Sequence, residues 1–447
     1  MDIQNFKKLL FEKAKAYGFE KCEIYFSSGS SSEISVYKGE TEQYKEEESG
    51  GFSFRGIYKG KMGYFFSEKT DEDILDTVVK NAAENALLSE SEEKEDIFSG
   101  SEEYPRVNTY DEALKNVDVE EKTALALDAE KKAFSCDKRV EMVESSLVES
   151  GENSIYLANS TGLELKNKTN YVVAYISVTA KENESVKQKY DYYVGRDIEE
   201  LKRKNIGEVA AKKAVASLNA KSVKSGYYPI IIENKTFADI LSTFEGNFSG
   251  EAVNKGFSLL KGKLSQTIAS PLLTLTDDPL LEGGMSSCPF DDEGVSCRKK
   301  NIIEEGVLKT FLHNIKTAAT AGTQTTGNGF KANFKSTVGV SSTNLYIQKG
   351  KTSFEELLKK AEGGILITDV TGLHSGANTV SGDFSLAAEG FLIEKGSLSS
   401  SVEQITIAGN FYELLKNVEA IGNDLSFNLS GVGSPSLFFP SIAVSGQ

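Results

Sequence analysis

The sequence is poor in the side chains that bind transition metals and form disulfides. Its 447 residues include two histidines, His313 and His374, and four cysteines. A zinc site made by this chain alone would therefore depend on carboxylates or thiolates for most of its ligands. Four cysteines are also few for a disulfide-stabilised scaffold, and their scarcity is typical of a protein from a reducing compartment.

Long apolar runs are scarce as well. No segment approaches the roughly 20 consecutive apolar residues that a transmembrane helix needs. The first 19 residues instead predict an amphipathic helix, whereas a signal peptide would have a basic start and an unbroken apolar core. The apolar face of this helix carries Ile3, Phe6, Leu10, Ala14 and Tyr17. We therefore expect a cytoplasmic protein that does not associate with membranes.

Positive charge is in deficit. The chain has 50 Lys and Arg against 66 Asp and Glu, which gives a net charge of −16. Proteins that bind nucleic acids neutralise phosphates with clustered basic side chains, so this balance argues against direct nucleic-acid binding. The 39% of hydrophobic and 26% of charged residues are ordinary for a globular chain, and the length accommodates two or three domains.

A repeated order of elements organises the first half. A predicted helix at 2–18 is followed by several strands and a second helix, and we predict that the Ser/Gly-rich stretch at 27–32 is a loop between strands. The same order returns from Asp118 and ends in a helix predicted at 198–218. This repetition indicates a duplication that forms either two α+β modules or one sheet extended by both.

The second half is rich in strands and glycine and has few helices. Helices are predicted near Thr236, after Ser353 and after Asn410, because these three residue types are good N-caps. The alternating strands between them predict a mixed or antiparallel, barrel-like domain.

Polar segments at 89–110 and 219–228 suggest the domain boundaries. We predict an α+β fold with an N-terminal α+β domain at 1–110, a central α+β domain at 111–220 and a β-rich C-terminal domain at 221–447. In this fold the N-terminal half is a duplicated helix–sheet–helix unit.

The helix predicted at 236–246 lies where enzymes often place a nucleophile or metal ligands. Its apolar face carries Phe237, Ile240, Leu241, Phe244 and Phe248. This helix and the residues that follow it up to Gly256 have neither His nor Cys, and their charged oxygens come only from Asp239, Glu245 and Glu251.

Two further groups have simple structural interpretations. Asp277-Asp278 and the run Asp291–Gly294 offer hard oxygen ligands for Ca²⁺ or Mg²⁺, but they match no EF-hand and are typical of turns. Cys288 and Cys297 lack the second cysteine pair of a usual zinc site. We interpret the carboxylates as polar turns and the thiols as incidental.

The segment GLHSGANTVSGDFS, residues 372–385, groups His374, Ser375, Asn378 and Asp383. Its residue types are those of a hydrolase triad, but triads are assembled from distant segments and the chain has no Gly-x-Ser-x-Gly elbow here. We therefore predict no catalytic residue in this chain. The four side chains are candidates for contact with a substrate or a partner, or for holding the loop itself.

These strings resemble the TldD/PmbA family, also called the modulator of DNA gyrase family. GLHSGANTVSGDFS is similar to a signature of its PmbA, or TldE, branch, and IGNDL at Ile421–Leu425 is similar to another family segment. The metal-bearing branch has a His-Glu-x-x-x-His zinc motif shortly before a Lys-Gly pair. Counting back from Lys255-Gly256, the motif positions fall on Leu241, Ser242 and Gly246, none of which is a zinc ligand. The chain thus resembles the branch that lacks the motif.

The resemblance implies a subunit of a cytoplasmic TldD/TldE-type metalloprotease that acts on unfolded or small peptides. It implies no cofactor in this chain, zinc in a TldD-like partner, and activity only with that partner. Two other functions stay open: an interaction protein that modulates another enzyme such as DNA gyrase, and a metal-independent hydrolase with an unrecognised site around His374. The sequence also leaves open whether the chain forms homodimers.

Overall fold

The computed structural model of the protein describes residues 2–90 and 95–447. The fold is α+β, as predicted, with a helix–sheet N-terminal half and a β-rich C-terminal half with few helices. The linker predicted from residue 89 includes residues 91–94, which lie outside the described residues. Within the described ranges, every helix falls short of the length and apolarity that a membrane span requires.

The first half contains two units with the same order of elements. The first unit consists of α1 (Ile3–Tyr17), β1 (Phe19–Tyr37), β2 (Glu40–Tyr58), β3 (Lys61–Ser67) and α2 (Leu75–Leu88). The second unit consists of α3 (Val119–Cys136), β4 (Val140–Asn159), β5 (Glu164–Glu182), β6 (Ser185–Gly195), α4 (Ile198–Arg203) and α5 (Ile206–Ala216).

The strands of both units form one sheet. Its order is β3-β2-β1-β4-β5-β6, and the antiparallel pair β1–β4 joins the two units at the centre. Ile34 and Val36 of β1 pack in the core of the second unit, while Tyr156 and Ala158 of β4 pack in the core of the first. Of the two arrangements that the sequence left open, the structure therefore has the single extended sheet.

The loop predicted at 27–32 is wrong. These residues lie in the middle of β1, a 19-residue strand. Ser27 pairs with Gly51 of β2 on one side and with Ile155 of β4 on the other, and the same double pairing continues through Ser32. Because neighbours on both sides satisfy the backbone, the low strand propensity of Ser and Gly does not break the strand.

The second half contains six α-helices and fourteen strands among the described residues. The helices are α6 (Asn234–Phe244), α7 (Gly250–Lys255), α8 (Ile315–Ala321), α9 (Phe354–Lys360), α10 (Leu373–Gly376) and α11 (Phe411–Lys416). The strands are β7 (Gly226–Ile232), β8 (Leu275–Asp277), β9 (Lys300–Glu304), β10 (Val307–Leu308), β11 (Gly329–Phe330), β12 (Gly339–Val340), β13 (Leu345–Ile347), β14 (Ile365–Thr371), β15 (Asp383–Glu394), β16 (Ser397–Asn410), β17 (Ala420–Ile421), β18 (Ser426–Phe427), β19 (Gly433–Ser434) and β20 (Leu437–Ser445).

The prediction of a barrel-like domain is confirmed. Strands β16, β15, β14, β7 and β20 follow one another, and β16 also pairs with β20, which closes a five-stranded barrel. Ile230 and Ile232 of β7 pack in the main core with α6, while Ile231 packs with α9 in a second cluster. Because β7 is covered on both faces, consecutive residues of this strand are apolar, which explains the sequence Ile-Ile-Ile at 230–232.

A second sheet, ordered β10-β9-β8-β13-β19-β18, lies beside the barrel. Helix α6 contacts β14 of the barrel and β18 and β19 of this sheet, so it lies between the two.

The helix ends agree with the sequence at two of three N-caps. Ser353 and Glu356 form a reciprocal capping box at α9, and Asn410 accepts a hydrogen bond from the Tyr412 N–H at α11. The cap predicted at Thr236 is wrong, because α6 begins at Asn234 and Thr236 is buried in its first turn. The helix predicted at 198–218 is two helices, α4 and α5.

Candidate functional site

Helix α6 has two faces: one packs in the core, and the other lines an open cleft. Phe237, Ile240, Leu241 and Phe244 are fully buried. Lys235, Thr236 and Asp239 line a cavity of about 600 Å³ between the N-terminal sheet and the barrel. The amphipathic spacing that predicts the helix therefore also determines which of its side chains reach the cavity.

Aromatic side chains of β6 form the opposite wall. Tyr190 and Tyr192 are two residues apart on one strand and so share a face of the sheet. Their rings stack with centroids 6.3 Å apart, and the Tyr190 ring stacks on Tyr175 of β5 at 5.7 Å. The Lys235 ammonium of α6 lies 3.9 Å from the centroid of the Tyr192 ring. This wall is therefore aromatic, and the Lys235 ammonium lies over the face of the Tyr192 ring.

Ion pairs connect the two sides of the cavity. Lys189 of β6 lies 2.9 Å from a carboxylate oxygen of Asp369 in β14 and 2.9 Å from one of Glu389 in β15. Asp191 of β6 pairs with Lys235 of α6 at 3.5 Å. These pairs join the N-terminal sheet to the C-terminal half beside the cavity.

Asp239 is the carboxylate that faces the cavity from α6. Its Oδ1 accepts a hydrogen bond from the Asn428 side-chain amide at 2.8 Å, and in the described part of the chain no Lys or Arg forms an ion pair with it. Burial raises the pKa of the Asp239 carboxyl, and burial likewise raises that of Glu233 at the N-cap of the helix. The cavity thus combines aromatic faces with a hydrogen-bond acceptor that is only partly compensated.

The positions aligned with the zinc motif lie in three different environments. Leu241 is fully buried in the core, and the Ser242 hydroxyl lies 3.1 Å from that of Ser430. Gly246 is exposed, and no heavy atom lies within 4 Å of where its Cβ would be. Across residues 2–90 and 95–447, no group of three or more His, Cys, Asp or Glu side chains is arranged to hold a metal ion.

Most of the segment Gly372–Ser385 lies on the surface, with Phe384 in the core, and none of it lines this cavity. His374 and Ser375 are exposed in α10. Asn378 Oδ1 accepts hydrogen bonds from two backbone N–H groups of its own turn, both at 3.0 Å. Asp383 accepts from the Ser381 hydroxyl at 2.8 Å and from the Asn410 amide at 2.9 Å, and these bonds lower the pKa of its carboxyl. Asn378 and Asp383 therefore hold the loop, whereas His374 and Ser375 face solvent.

The acidic run Asp291–Gly294 forms the predicted turn, but its side chains are buried. Asp291 Oδ1 accepts hydrogen bonds from the N–H groups of Glu293 and Val295. Glu293, 3% exposed, lies 3.2 Å from Arg55 of β2, which also bonds Glu23 of β1 at 2.6 Å. The other acidic pair is buried too, and Asp277 bonds Lys300 at 2.9 Å. These buried carboxylates therefore form hydrogen bonds and ion pairs within the protein. The run at 291–294 also joins the two halves of the molecule through Arg55.

Sequence reasoning noticed Asp239 but missed Tyr190, Tyr192 and Asp369. The two-residue spacing of Tyr190 and Tyr192 is a signal that both point to one face of β6. No local signal connects that face with Asp369, because the two lie more than 170 residues apart in the chain and meet only through the packing of the sheet against the barrel.

Three family models match the chain in order. They describe the PmbA/TldA metallopeptidase domain 1, over residues 22–86, the central domain, over 112–218, and the C-terminal domain, over 225–446. An extended sheet followed by a barrel, matched along its length by these models, defines the class of protein as a metallopeptidase-family chain.

Similarity to known proteins extends over nearly the whole chain. The metalloprotease PmbA homolog of Haemophilus influenzae is 27% identical over 443 residues, which cover 95% of this chain and 94% of that protein. A proposed modulator of a DNA gyrase from Thermotoga maritima has a TM-score of 0.92 and 33% identity, with 99% of this chain and 100% of that chain covered. TldE from Thermococcus kodakarensis has a TM-score of 0.90 and 25% identity, with 99% and 100% covered. The chain belongs to the PmbA/TldD metallopeptidase family.

Proposed function

We propose that this chain is the PmbA/TldE-like subunit of a cytoplasmic TldD/TldE-type metalloprotease that cleaves unfolded or small peptides. A TldD-like subunit would hold the zinc, and this chain would shape the cleft that receives the peptide. Zinc bound in such a partner lowers the pKa of its water to about 7 and polarises the scissile carbonyl. The likeness to TldE along the whole chain supports this assignment.

The residues of α6 and of the turn that follows it carry the proposal. Zinc is bound by imidazole, thiolate or carboxylate groups, and Leu241, Ser242 and Gly246 supply none of these. Toward the cavity the helix presents Lys235 and Asp239 instead. These groups suit hydrogen bonding to a peptide.

The cavity also has the composition of a peptide-binding cleft. Its volume of about 600 Å³ accommodates a few side chains of an extended peptide. Tyr190 and Tyr192, which line the cavity, offer apolar contact area, and Asp239 offers an acceptor for a donor group of the peptide. An unfolded chain fits such a site because its backbone is free to extend along it.

The first test reconstitutes the enzyme from separate subunits. The purified chain is expected to hold no stoichiometric zinc by elemental analysis and to leave fluorogenic peptides uncut. Mixing it with an HExxxH-bearing TldD-like subunit is expected to give a peptidase that chelators abolish. Chelator-resistant cleavage by the isolated chain would overturn the proposal in favour of the metal-independent hydrolase. Binding to DNA gyrase without any joint peptidase activity would favour the modulator function.

The second test separates substrate contact from subunit contact. Asp239→Asn is expected to lower kcat/KM of the joint enzyme by roughly tenfold while the complex still elutes as one species in size exclusion. His374→Ala, on the exposed loop, is expected to weaken the complex. If His374→Ala instead reduces activity with the complex intact, the loop contacts substrate. An Asp239→Asn enzyme with unchanged kcat/KM would remove the cavity from the proposed site.

A further inference from the structure

Two cysteine sulfurs lie in contact at a place that the proposed peptidase function does not use. Eight residues separate Cys288 from Cys297 in the sequence, and their Sγ atoms are 3.7 Å apart. Both thiols are free. A disulfide has an S–S distance of about 2.05 Å, so the two sulfurs are in contact but not bonded.

The cysteines lie at the base of a hairpin formed by residues 288–297, which we call the thiol hairpin. The Cys297 N–H donates to the Pro289 carbonyl at 3.0 Å, and Phe290 bridges Ser296 in antiparallel register. The Asp291 N–H donates to the Val295 carbonyl near the tip. Backbone pairing therefore holds the two sulfurs together independently of any bond between them.

The thiol hairpin is wedged between the two halves of the molecule. Its Glu293 pairs with Arg55 of β2, and its Gly294 carbonyl accepts a hydrogen bond from the Tyr104 hydroxyl at 2.8 Å. The Ser296 N–H donates to the Ser101 hydroxyl at 3.0 Å. A covalent change at the base of the hairpin therefore acts on the contact between the N-terminal and C-terminal halves.

The two thiols differ in access. Cys288 is half-buried, whereas Cys297 is 2% exposed. The contact with Cys288, together with burial, raises the pKa of the Cys297 thiol. An oxidant therefore meets Cys288 first, and Cys297 is placed to resolve the product.

We propose that Cys288 and Cys297 form a reversible disulfide that clamps the thiol hairpin between the two halves. With a small-molecule disulfide such as oxidised glutathione, the Cys288 thiolate attacks one glutathione sulfur and releases glutathione thiolate. The Cys297 sulfur then attacks Cys288 Sγ in the mixed disulfide, loses its proton and displaces a second glutathione. The net change is two protein thiols and one oxidised glutathione converted to one protein disulfide and two glutathione thiols.

The other two cysteines serve as internal controls. Burial raises the pKa of the Cys22 thiol to about 12, and the Cys136 Sγ lies 3.8 Å from the Glu208 carbonyl oxygen. Neither sulfur contacts another sulfur among the described residues. We therefore expect oxidation to stop at one disulfide per chain.

The experiment equilibrates the full chain in glutathione buffers of increasing oxidation, followed by acid quenching and intact mass analysis. The wild type is expected to lose two of its four thiols and two hydrogen atoms of mass, and peptide mapping should find Cys288 linked to Cys297. Cys136→Ser should behave the same, whereas Cys288→Ser should form no intramolecular disulfide. Four thiols retained in oxidised glutathione, a persistent glutathione adduct on Cys288, or a bond to Cys22 or Cys136 would overturn the proposal.

The clamp is tested separately by comparing the oxidised and reduced wild type, so the main measurement does not depend on the folding of a variant. The oxidised protein is expected to melt at a higher temperature than the reduced protein and to exchange the amide hydrogens of the thiol hairpin more slowly. Cys288→Ser should show no such difference between the two buffers. Equal melting and equal exchange in the oxidised and reduced wild type would overturn the clamp.

Discussion

At the scale of single residues, buried charge holds the two halves of the molecule together. Arg55 is bonded to Glu23 and Glu293, and the three side chains are 7%, 1% and 4% exposed. Removing one member of such a group leaves its partners charged in a medium that solvates them poorly.

Replacing Arg55 by Met should therefore be strongly destabilising. We expect a loss of about 3–5 kcal/mol in the free energy of unfolding, because both carboxylates would stay buried and lose their ion pair with Arg55. Urea denaturation measures the loss. The matched control is Lys132→Met, which removes an exposed i,i+4 pair with Asp128 and should cost less than about 1 kcal/mol. Similar losses for the two variants would contradict the prediction.

The titration of Asp292 should make the free energy of unfolding depend on pH. Burial raises the pKa of its carboxyl to about 6, against about 3.9 in an unfolded chain. Between these values the native state binds more protons than the unfolded state, so this group makes the free energy of unfolding fall as the pH rises from about 4 to about 6.

Asp292→Asn removes this titration. The stability of the wild type relative to Asp292→Asn should increase by roughly 1–3 kcal/mol when the pH is lowered from about 7 to about 4.5, since a shift of one pKa unit corresponds to about 1.4 kcal/mol. Urea denaturation at both pH values tests this. Asp76→Asn is the control, because that side chain is 84% exposed. A difference between wild type and Asp292→Asn that does not change with pH would refute the prediction.

At the scale of elements, close backbone approach determines how the helices of the second unit pack. Gly207 of α5 lies against Ala129 of α3. A Cβ atom at position 207 would lie 2.0 Å from the Ala129 carbonyl oxygen. A side chain at this position would push the two helices apart.

Gly207→Ala distinguishes packing from helix propensity. Propensity alone predicts a gain of about 1 kcal/mol for Ala over Gly inside a helix. We expect a net loss of roughly 1–3 kcal/mol in thermal or urea unfolding, because overpacking outweighs that gain. Gly246→Ala is the control, since its Cβ would meet open space, and it should be neutral or stabilising. A stabilised Gly207→Ala protein would show that α5 moves freely.

At the scale of the whole molecule, contacts between the halves are distributed along their boundary. Besides Arg55, Lys189 joins β6 to the barrel, the Lys331 ammonium bonds the Ser53 hydroxyl at 2.9 Å, and the Arg196 guanidinium donates to the Gly284 carbonyl at 2.7 Å. Each half therefore provides partners that the buried polar groups of the other half require.

We expect the chain to unfold in urea as one cooperative unit. Pulsed hydrogen exchange with mass analysis should show peptides of the N-terminal sheet and of the barrel losing protection at the same urea concentration. The reason is that unfolding either half would leave buried charges of the other half without their partners. A barrel that stays protected after the sheet has exchanged would contradict this expectation.

The sequence predicted much of the fold and less of the candidate site. The barrel-like character of the second half, the helices α6 and α9 and the repeated order of the first half were predicted from local signals, namely periodicity and, for α9, its cap. The strand through residues 27–32 could not be predicted, because its stability comes from partners at Gly51 and Ile155 that are distant in the chain. The cavity residues of β6 and β14 meet for the same reason.

What the sequence by itself determined is chemical. The absence of His, Cys and carboxylates at 241, 242 and 246, the scarcity of histidine and the acidic balance are fixed by residue identity. Only the tertiary structure determined which charged side chains are buried and which distant residues are in contact. It places the turn at Asp291–Gly294 in a buried contact with Arg55, and it brings the sulfurs of Cys288 and Cys297 together. Burial and distance depend on how distant segments pack, and no local pattern contains that information.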